Sequence, residues 1–265
     1  MSTAAYAMRD SMTMLRRNLK HARRYPSMTV SVVAMPILML LLFVYVFGGA
    51  LGPGIGVAGA SGDRGAYIGY VAPGIFLMAA TSGAVATAVS VCTDMTEGII
   101  NRFRTMAISR GSVLTGHVVG SVIQTMISLA LVIGVAVAVG FRPDATPVEW
   151  LAALGILALI AFALTWLSAA MGLVAKTVES ASNAPMPLTF LPFLGSAIVT
   201  PESMPDGLRW FAEYQPFTPV NETLRGLLTG TEIGDNALIA LAWGAGLSLV
   251  GYLWARSAFA RGARP

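Results

Sequence analysis

The sequence is short of charge. Of 265 residues only 11% are charged, against roughly 25% in ordinary globular domains, while 55% are hydrophobic. Length alone would permit one or two soluble domains, but so little charge cannot cover their surface. The charges also come in short clusters. Six stretches, 27–47, 65–93, 111–141, 150–175, 180–201 and 236–255, contain no Asp, Glu, Lys or Arg. Each reaches the length of about 20 residues that a helix needs to cross a bilayer core, the fifth and sixth barely. They do not alternate apolar and polar residues as barrel strands do, and a helix in oil satisfies its own backbone. A soluble enzyme is excluded.

Other absences narrow the chemistry. The one cysteine, Cys92, permits no intrachain disulfide. Transport driven by protons or sodium usually places ionisable groups inside the membrane, and the six runs offer none beyond His117 near the start of the third. That histidine reads as packed or snorkelling. A nucleotide-binding loop ending in Gly-Lys-Ser/Thr is missing: before Lys176-Thr177, Ala170 and Ala175 stand where glycines are needed. No metal-ligand spacing of His, Cys and carboxylates occurs. Ser82 and His117 would make a serine–histidine pair only if they met, and Ser82 lies well inside its run whereas His117 lies near a run's end. Repeats and low-complexity tracts are absent. The apolar run after the basic N-terminal segment is about 20 residues, longer than the 7–15 of a signal peptide, and reads as a retained first span.

What charge there is orients the chain. Placing the N-terminal segment inside, with six spans, puts 13 of the 17 basic residues on the cytoplasmic side and 9 of the 13 acids outside. Both termini are then cytoplasmic, and the net charge of +4 is a topology signal that requires no nucleic acid. Residues 8–24 read as an amphipathic helix at the membrane interface: Met8, Met12, Leu15, Leu19 and Ala22 share one face, and Arg16, Arg17, Lys20, Arg23 and Arg24 lie beside it. Tyr25-Pro26 ends it. It is either a topology anchor or a gate beside a substrate path. In the loop 94–110, Asp94 followed by Glu97 suggests a helix cap. Met95, Ile99, Phe103 and Met106 make an apolar stripe that would dock on another protein or rest on the bilayer. Residues 202–235 hold six acids yet many apolar and aromatic side chains. They predict two short helices dipping into the outer leaflet, with Thr218-Pro219 as a helix start and Trp210 and Tyr214 at the interface, or else a surface loop. Pro36, Pro73, Pro185, Pro187 and Pro192 stand within spans as possible kinks, and small-residue stretches such as 83–88 permit close helix packing.

Two segments carry a resemblance. Segment 93–116 has an acidic–glycine pair, Glu97-Gly98, then Arg102-Phe103-Arg104, then Ile108-Ser109-Arg110 before the third run. It resembles the signature of ABC transporter permeases of the daunorubicin-resistance export type. Segment 215–226, from Gln215-Pro216-Phe217 through Asn221-Glu222 to Arg225-Gly226, is similar to that family's motif between the fifth and sixth spans.

The resemblance implies one all-α permease domain over 1–265. It would have six transmembrane helices, at about 27–47, 67–92, 112–140, 150–175, 181–201 and 236–256. It implies an N-terminal amphipathic interface helix, a cytoplasmic coupling helix and outer-leaflet re-entrant helices between spans five and six. Asp94, Glu97, Gly98, Arg102, Phe103 and Arg104 would couple to the ATPase, and Trp210, Tyr214, Pro219, Glu222 and Arg225 would lie at the exit. Two permease chains, the same or related, would pair above two ATPase subunits, which would hold the ATP and magnesium. The function implied is export of an amphipathic drug-like, natural-product or lipid substrate across the cell membrane. The rivals are a membrane scaffold or sensor that binds an ATPase without transport, and an intramembrane hydrolase acting through Ser82.

Overall fold

The structure, a computed structural model, describes residues 26–47, 64–96 and 110–261. The interface helix expected over 8–24, and residues 97–109 of the expected coupling loop, lie outside the described residues. Helix α1 is Pro26–Leu41 and continues as π-helical turns over Leu42–Phe47. Helix α2 is Arg64–Thr96, α3 is Arg110–Val139 and α4 is Pro147–Val174. Short pieces follow: α5 (Val178–Asn183), α6 (Met186–Phe190) and 3-10 turns at Leu191–Leu194 and Pro201–Ser203. Then come α7 (Asp206–Tyr214), α8 (Phe217–Thr229) and α9 (Asn236–Arg261).

Among the described residues four helices, not six, are long and apolar enough to cross a membrane: Tyr67–Thr96, Leu114–Val139, Pro147–Val174 and Asn236–Ala260. Six spans with re-entrant helices between the last two is therefore corrected to an all-α membrane protein with four long apolar helices. The expected first span is α1 with its π-helical continuation, whose apolar part Val33–Phe47 is shorter than the four long helices. Pro36 and the π-helical turns interrupt its regular bonding. The expected fifth span is not one helix. Pro185, Pro187 and Pro192 each remove a backbone donor, so 178–200 breaks into α5, α6 and a 3-10 turn. Apolar run length counts side chains and is blind to those missing N–H groups.

Local sequence accounts for the long helices' ends. Thr146-Pro147-Val148-Glu149 opens α4 as a capping box. The Glu149 carboxylate accepts from the Thr146 N–H at 2.6 Å, the Thr146 hydroxyl accepts from the Glu149 N–H at 3.4 Å, and Pro147 fills the first helical position. Gly230, at φ 72°, closes α8 in the left-handed conformation that favours glycine.

Helices α2 and α4 form the centre, with 72% and 61% of their apolar windows buried, against 28% for α3 and 17% for α9. Exposed Leu241, Leu249, Val250 and Leu253 on α9, and Ile127 and Leu131 on α3, suit a surface bathed in lipid. Glycines set the close approaches. A Cβ at Gly172 of α4 would run into the Ala88 carbonyl oxygen of α2, and one at Gly251 of α9 would lie 2.8 Å from the Leu167 nitrogen of α4. Gly244 abuts Leu159 while Gly251 abuts Trp166 and Leu167, so α4 and α9 are parallel. Ala88 meets Gly172 and Cys92 meets Ala175, so α2 and α4 are parallel too. Helix α3 is antiparallel to α2: Phe76 packs edge-on against Phe141 at one end, and Asp94 meets His117 at the other.

Since α4 and α9 are parallel, the chain between them has to return to the starting end. It does so along α2, from Cys92 beside Ala175 to Gly74 beside Ala197. The broken pieces α5 and α6 thus run beside the most buried helix of the bundle. Irregular backbone is tolerated at membrane depth where protein covers it.

The glycine seam yields a stability prediction. Gly172→Ala lowers the melting temperature of the detergent-purified chain, at a cost of about 1–3 kcal/mol for overpacking. Gly155→Ala, where an added Cβ meets nothing within 4 Å, leaves it unchanged or slightly raised. Equal behaviour of the two variants would show that the seam is not close-packed.

Candidate functional site

Polar side chains gather at both ends of α2. At its N-terminal end lies a knot around one backbone oxygen. The Ser196 carbonyl, just past the 3-10 turn, accepts from Arg225 Nη2 at 2.7 Å, from Asn221 Nδ2 at 2.9 Å and from the Tyr70 hydroxyl at 3.4 Å. Asn221 also donates to the Ser196 hydroxyl at 3.1 Å, and Gln215 donates to the Leu191 carbonyl at 3.2 Å. The Arg225 guanidinium lies 3.8 Å over the Tyr70 ring, and Glu222, one turn back on α8, holds Nη1 at 2.7 Å. Tyr70, Gln215, Asn221 and Arg225 are all buried. A buried cation is stable only when paired and hydrogen-bonded, and the carboxylate, the carbonyl and the ring together supply that.

The spacing on α8 explains the knot. Thr218, Asn221 and Arg225 recur at helical intervals and present one polar face to the broken segment, while Val220, Leu224 and Leu228 present an apolar face to the core. The helix begins at Phe217, just ahead of the Thr218-Pro219 start that the sequence suggested, and the Thr218 hydroxyl donates to the Ala212 carbonyl of α7.

At the other end of α2, Asp94 sits in the last turn. Its Oδ2 lies 2.9 Å from His117 Nε2 on α3, and both residues are buried. Asp94 therefore belongs to the last turn of α2, and the helix it was expected to cap lies outside the described residues. His117 is buried as the sequence suggested, with its Nε2 facing the Asp94 carboxyl group of the neighbouring helix. Ser82 donates to the Ala79 carbonyl at 2.7 Å. It lies twelve residues, about 18 Å of helix, from Asp94, so no serine–histidine dyad forms. Among the described residues no group of three His, Cys, Asp or Glu side chains could hold a metal ion.

The expected site residues therefore separate. Pro219, Glu222 and Arg225 belong to the buried helix α8. Trp210 and Tyr214, each 66% exposed, lie on α7 with tilted rings 5.6 Å apart. Glu97, Gly98, Arg102, Phe103 and Arg104, like Arg16, Arg17, Lys20, Arg23 and Arg24, lie outside the described residues. The sequence reading passed over Tyr70 and Ser196, and it named Gln215 and Asn221 only as part of segment 215–226, without a role. The signal for the last two was available: polar residues at 215, 218, 221 and 225 recur every three to four positions beside an apolar stripe.

Removing the cation should loosen the knot. Arg225→Gln lowers the melting temperature by an amount equivalent to about 1–3 kcal/mol, the cost of leaving a buried acceptor underpaired. Arg225→Lys recovers little, because an ammonium cannot reproduce the planar fork and the ring stacking. Tyr214→Leu, on the exposed face of α7, changes it by less than about 0.5 kcal/mol. A thermal melt of Arg225→Gln that overlays the parent would show that Asn221 alone suffices.

Comparison with known proteins places this architecture. The chain is 28% identical over 247 residues to the daunorubicin resistance ABC transporter permease protein DrrB1 of Streptomyces coeruleorubidus, covering 93% of this chain and 84% of that protein. It is 21% identical over 221 residues to the probable doxorubicin resistance ABC transporter permease protein DrrC of Mycobacterium tuberculosis, covering 83% of this chain and 77% of that one. Residues 10–229 match the ABC-2 type transporter family. With four long apolar helices and a family match over most of its length, the chain belongs to the ABC-2 type transporter family, as a multi-pass membrane permease subunit of an ABC transport system.

Proposed function

We propose that this chain is the membrane half of an ATP-driven exporter that moves an amphipathic drug-like, natural-product or lipid compound out of the cell. The observation that carries this reading is the likeness, over 93% of the chain, to a permease named for daunorubicin resistance. The sequence itself offers no nucleotide-binding loop, so ATP and magnesium bind on a separate ATPase. Two such ATPase subunits serve a pair of permease chains, the second being the same or a related chain. All of 1–265 forms one permease domain.

The orientation follows from charge and direction. Helices α2, α4 and α9 are parallel, and exposed Lys176 and Arg256 stand at or beside the C-terminal ends of α4 and α9. The arginine-bearing loop 97–109 follows α2 at the same end. This end faces the cytoplasm, with both termini and the basic residues Arg16, Arg17, Lys20, Arg23 and Arg24 on that side. Glu97, Gly98, Arg102, Phe103 and Arg104 receive the ATPase, with Asp94 at the root of their loop. Trp210, Tyr214, Pro219, Glu222 and Arg225 belong to the exit side. Direction comes from differing affinity for compound in inward- and outward-open states, set by the ATPase cycle.

The test is co-purification of the full chain with its ATPase, followed by reconstitution in vesicles with amphipathic compounds that include daunorubicin. The ATPase is expected to be stimulated by at least one compound and to move it, and Glu97→Ala or Arg102→Ala to reduce transport. A complex that assembles yet ignores every compound would favour a membrane scaffold or sensor.

A further inference from the structure

The Asp94–His117 pair has three features that together call for an explanation. First, Asp94 places a carboxyl group in the last turn of α2, the end of a helix where the backbone dipole disfavours an anion. Second, it is buried there, facing His117 at 2.9 Å. Third, it joins two helices. The Arg209–Glu213 and Glu222–Arg225 pairs lie within single helices, whereas Asp94–His117 ties α2 to α3.

The place of the pair matters as much as its chemistry. It lies two residues before the end of α2 and seven after the start of α3, at the root of the loop 97–109. The main core does not extend this far. A small satellite cluster of Val91, Leu114, Val118, Trp166, Ala169, Ala170 and Ala255 packs this end instead. Within it α2 is seated on α4 through Ala88–Gly172 and through Cys92 Sγ, 3.8 Å from the Ala175 carbonyl oxygen. Helix α3 meets α2 at this end through Leu114 and Val118 in the cluster and through His117, which faces Asp94.

We infer that Asp94 and His117 are positioning residues for energy coupling: they bind the two helices that flank loop 97–109 into one unit, so that displacing the loop moves α2, α3 and, through the seam, α4 together. This rests on the reading that the loop receives the ATPase. Without the pair, the loop would drag α3 away from α2 and the stroke would be dissipated between them.

The experiment uses the full chain with its ATPase in vesicles and reads compound transported per ATP hydrolysed. Asp94→Asn and His117→Gln are expected to lower that ratio by about 5-fold or more, a coupling loss of ordinary size. The exchange variant carrying both Asp94→His and His117→Asp is expected to recover most of it, which a merely space-filling role would not produce. Should the single variants fail to accumulate, the variant carrying Asp94→Cys and His117→Cys in a Cys92→Ser background takes their place. It is assayed before and after joining with a short bifunctional thiol reagent, and joining is expected to raise the ratio. Single variants with the parent's ratio, an exchange variant no better than the singles, or a joined chain no better than the unjoined one would each overturn the inference. A parent complex that hydrolyses ATP without moving any compound would instead defeat the exporter reading itself.

Discussion

The constraint on which the rest of the structure depends is the hydrogen bonding of backbone that cannot form a regular helix. Four long helices close their own bonds and need nothing from their neighbours but shape. Residues 178–200 cannot, because three prolines interrupt them. A carbonyl removed from water without a donor costs several kcal/mol, so side chains have to supply the donors. Arg225, Asn221 and Tyr70 converge on the Ser196 oxygen, and Gln215 reaches that of Leu191. That demand explains why α8 is buried on its polar face as well as its apolar one. It also explains why α2 carries Gly74 opposite Ala197, where an added Cβ would lie 2.6 Å from the Ala197 carbonyl oxygen.

The parallel seam of α2, α4 and α9 creates the need for that segment. Two parallel neighbours joined in sequence require a return path, and the path runs beside the most buried helix. A long apolar helix in that place would have been simpler to pair but would have exposed its flank to lipid. The broken pieces instead lean on α2, and their partners lie on α8. Tight small-residue contacts and polar donors thus serve different parts of one problem: the former hold helices that are complete, the latter hold a strand of backbone that is not.

Much of this was legible in the sequence, and the rest was hidden for definable reasons. Long neutral runs announced α2, α3, α4 and α9, because burial in oil is a property that composition reports. Charge asymmetry suggested which ends share a side. The count of spans failed at 181–201, where side-chain hydropathy stays high while Pro185, Pro187 and Pro192 remove the donors that a helix needs. It failed again at the first span, where Pro36 and the π-helical turns interrupt the regular ladder. Asp94 and His117 were each noticed for themselves, one as a cap and one as a packed ring, but a pair twenty-three positions apart depends on helix register, which periodicity alone does not fix. Tyr70 and Ser196 carried no signal, since one supplies a ring and a hydroxyl at a span's end and the other mainly its backbone oxygen.

Helix α2 is the one element present at both polar sites. From Tyr70 to Asp94 it runs about 36 Å at 1.5 Å per residue. Pro73 removes one rung of its ladder, and it does so three residues from Tyr70, beside the knot. The remaining length toward Asp94 keeps a regular helical backbone and is clamped against α4 by the Ala88–Gly172 contact. The interruption of the α2 ladder by proline is therefore at the knot end, while the Asp94 end is seated on α4. A displacement applied near Asp94 reaches the knot as motion of a stiff rod, and the knot, built from side-chain donors around one carbonyl and not from a continuous ladder, is the part that can rearrange. That division of stiffness is what a permease needs if its energy arrives at one face and its compound leaves by the other.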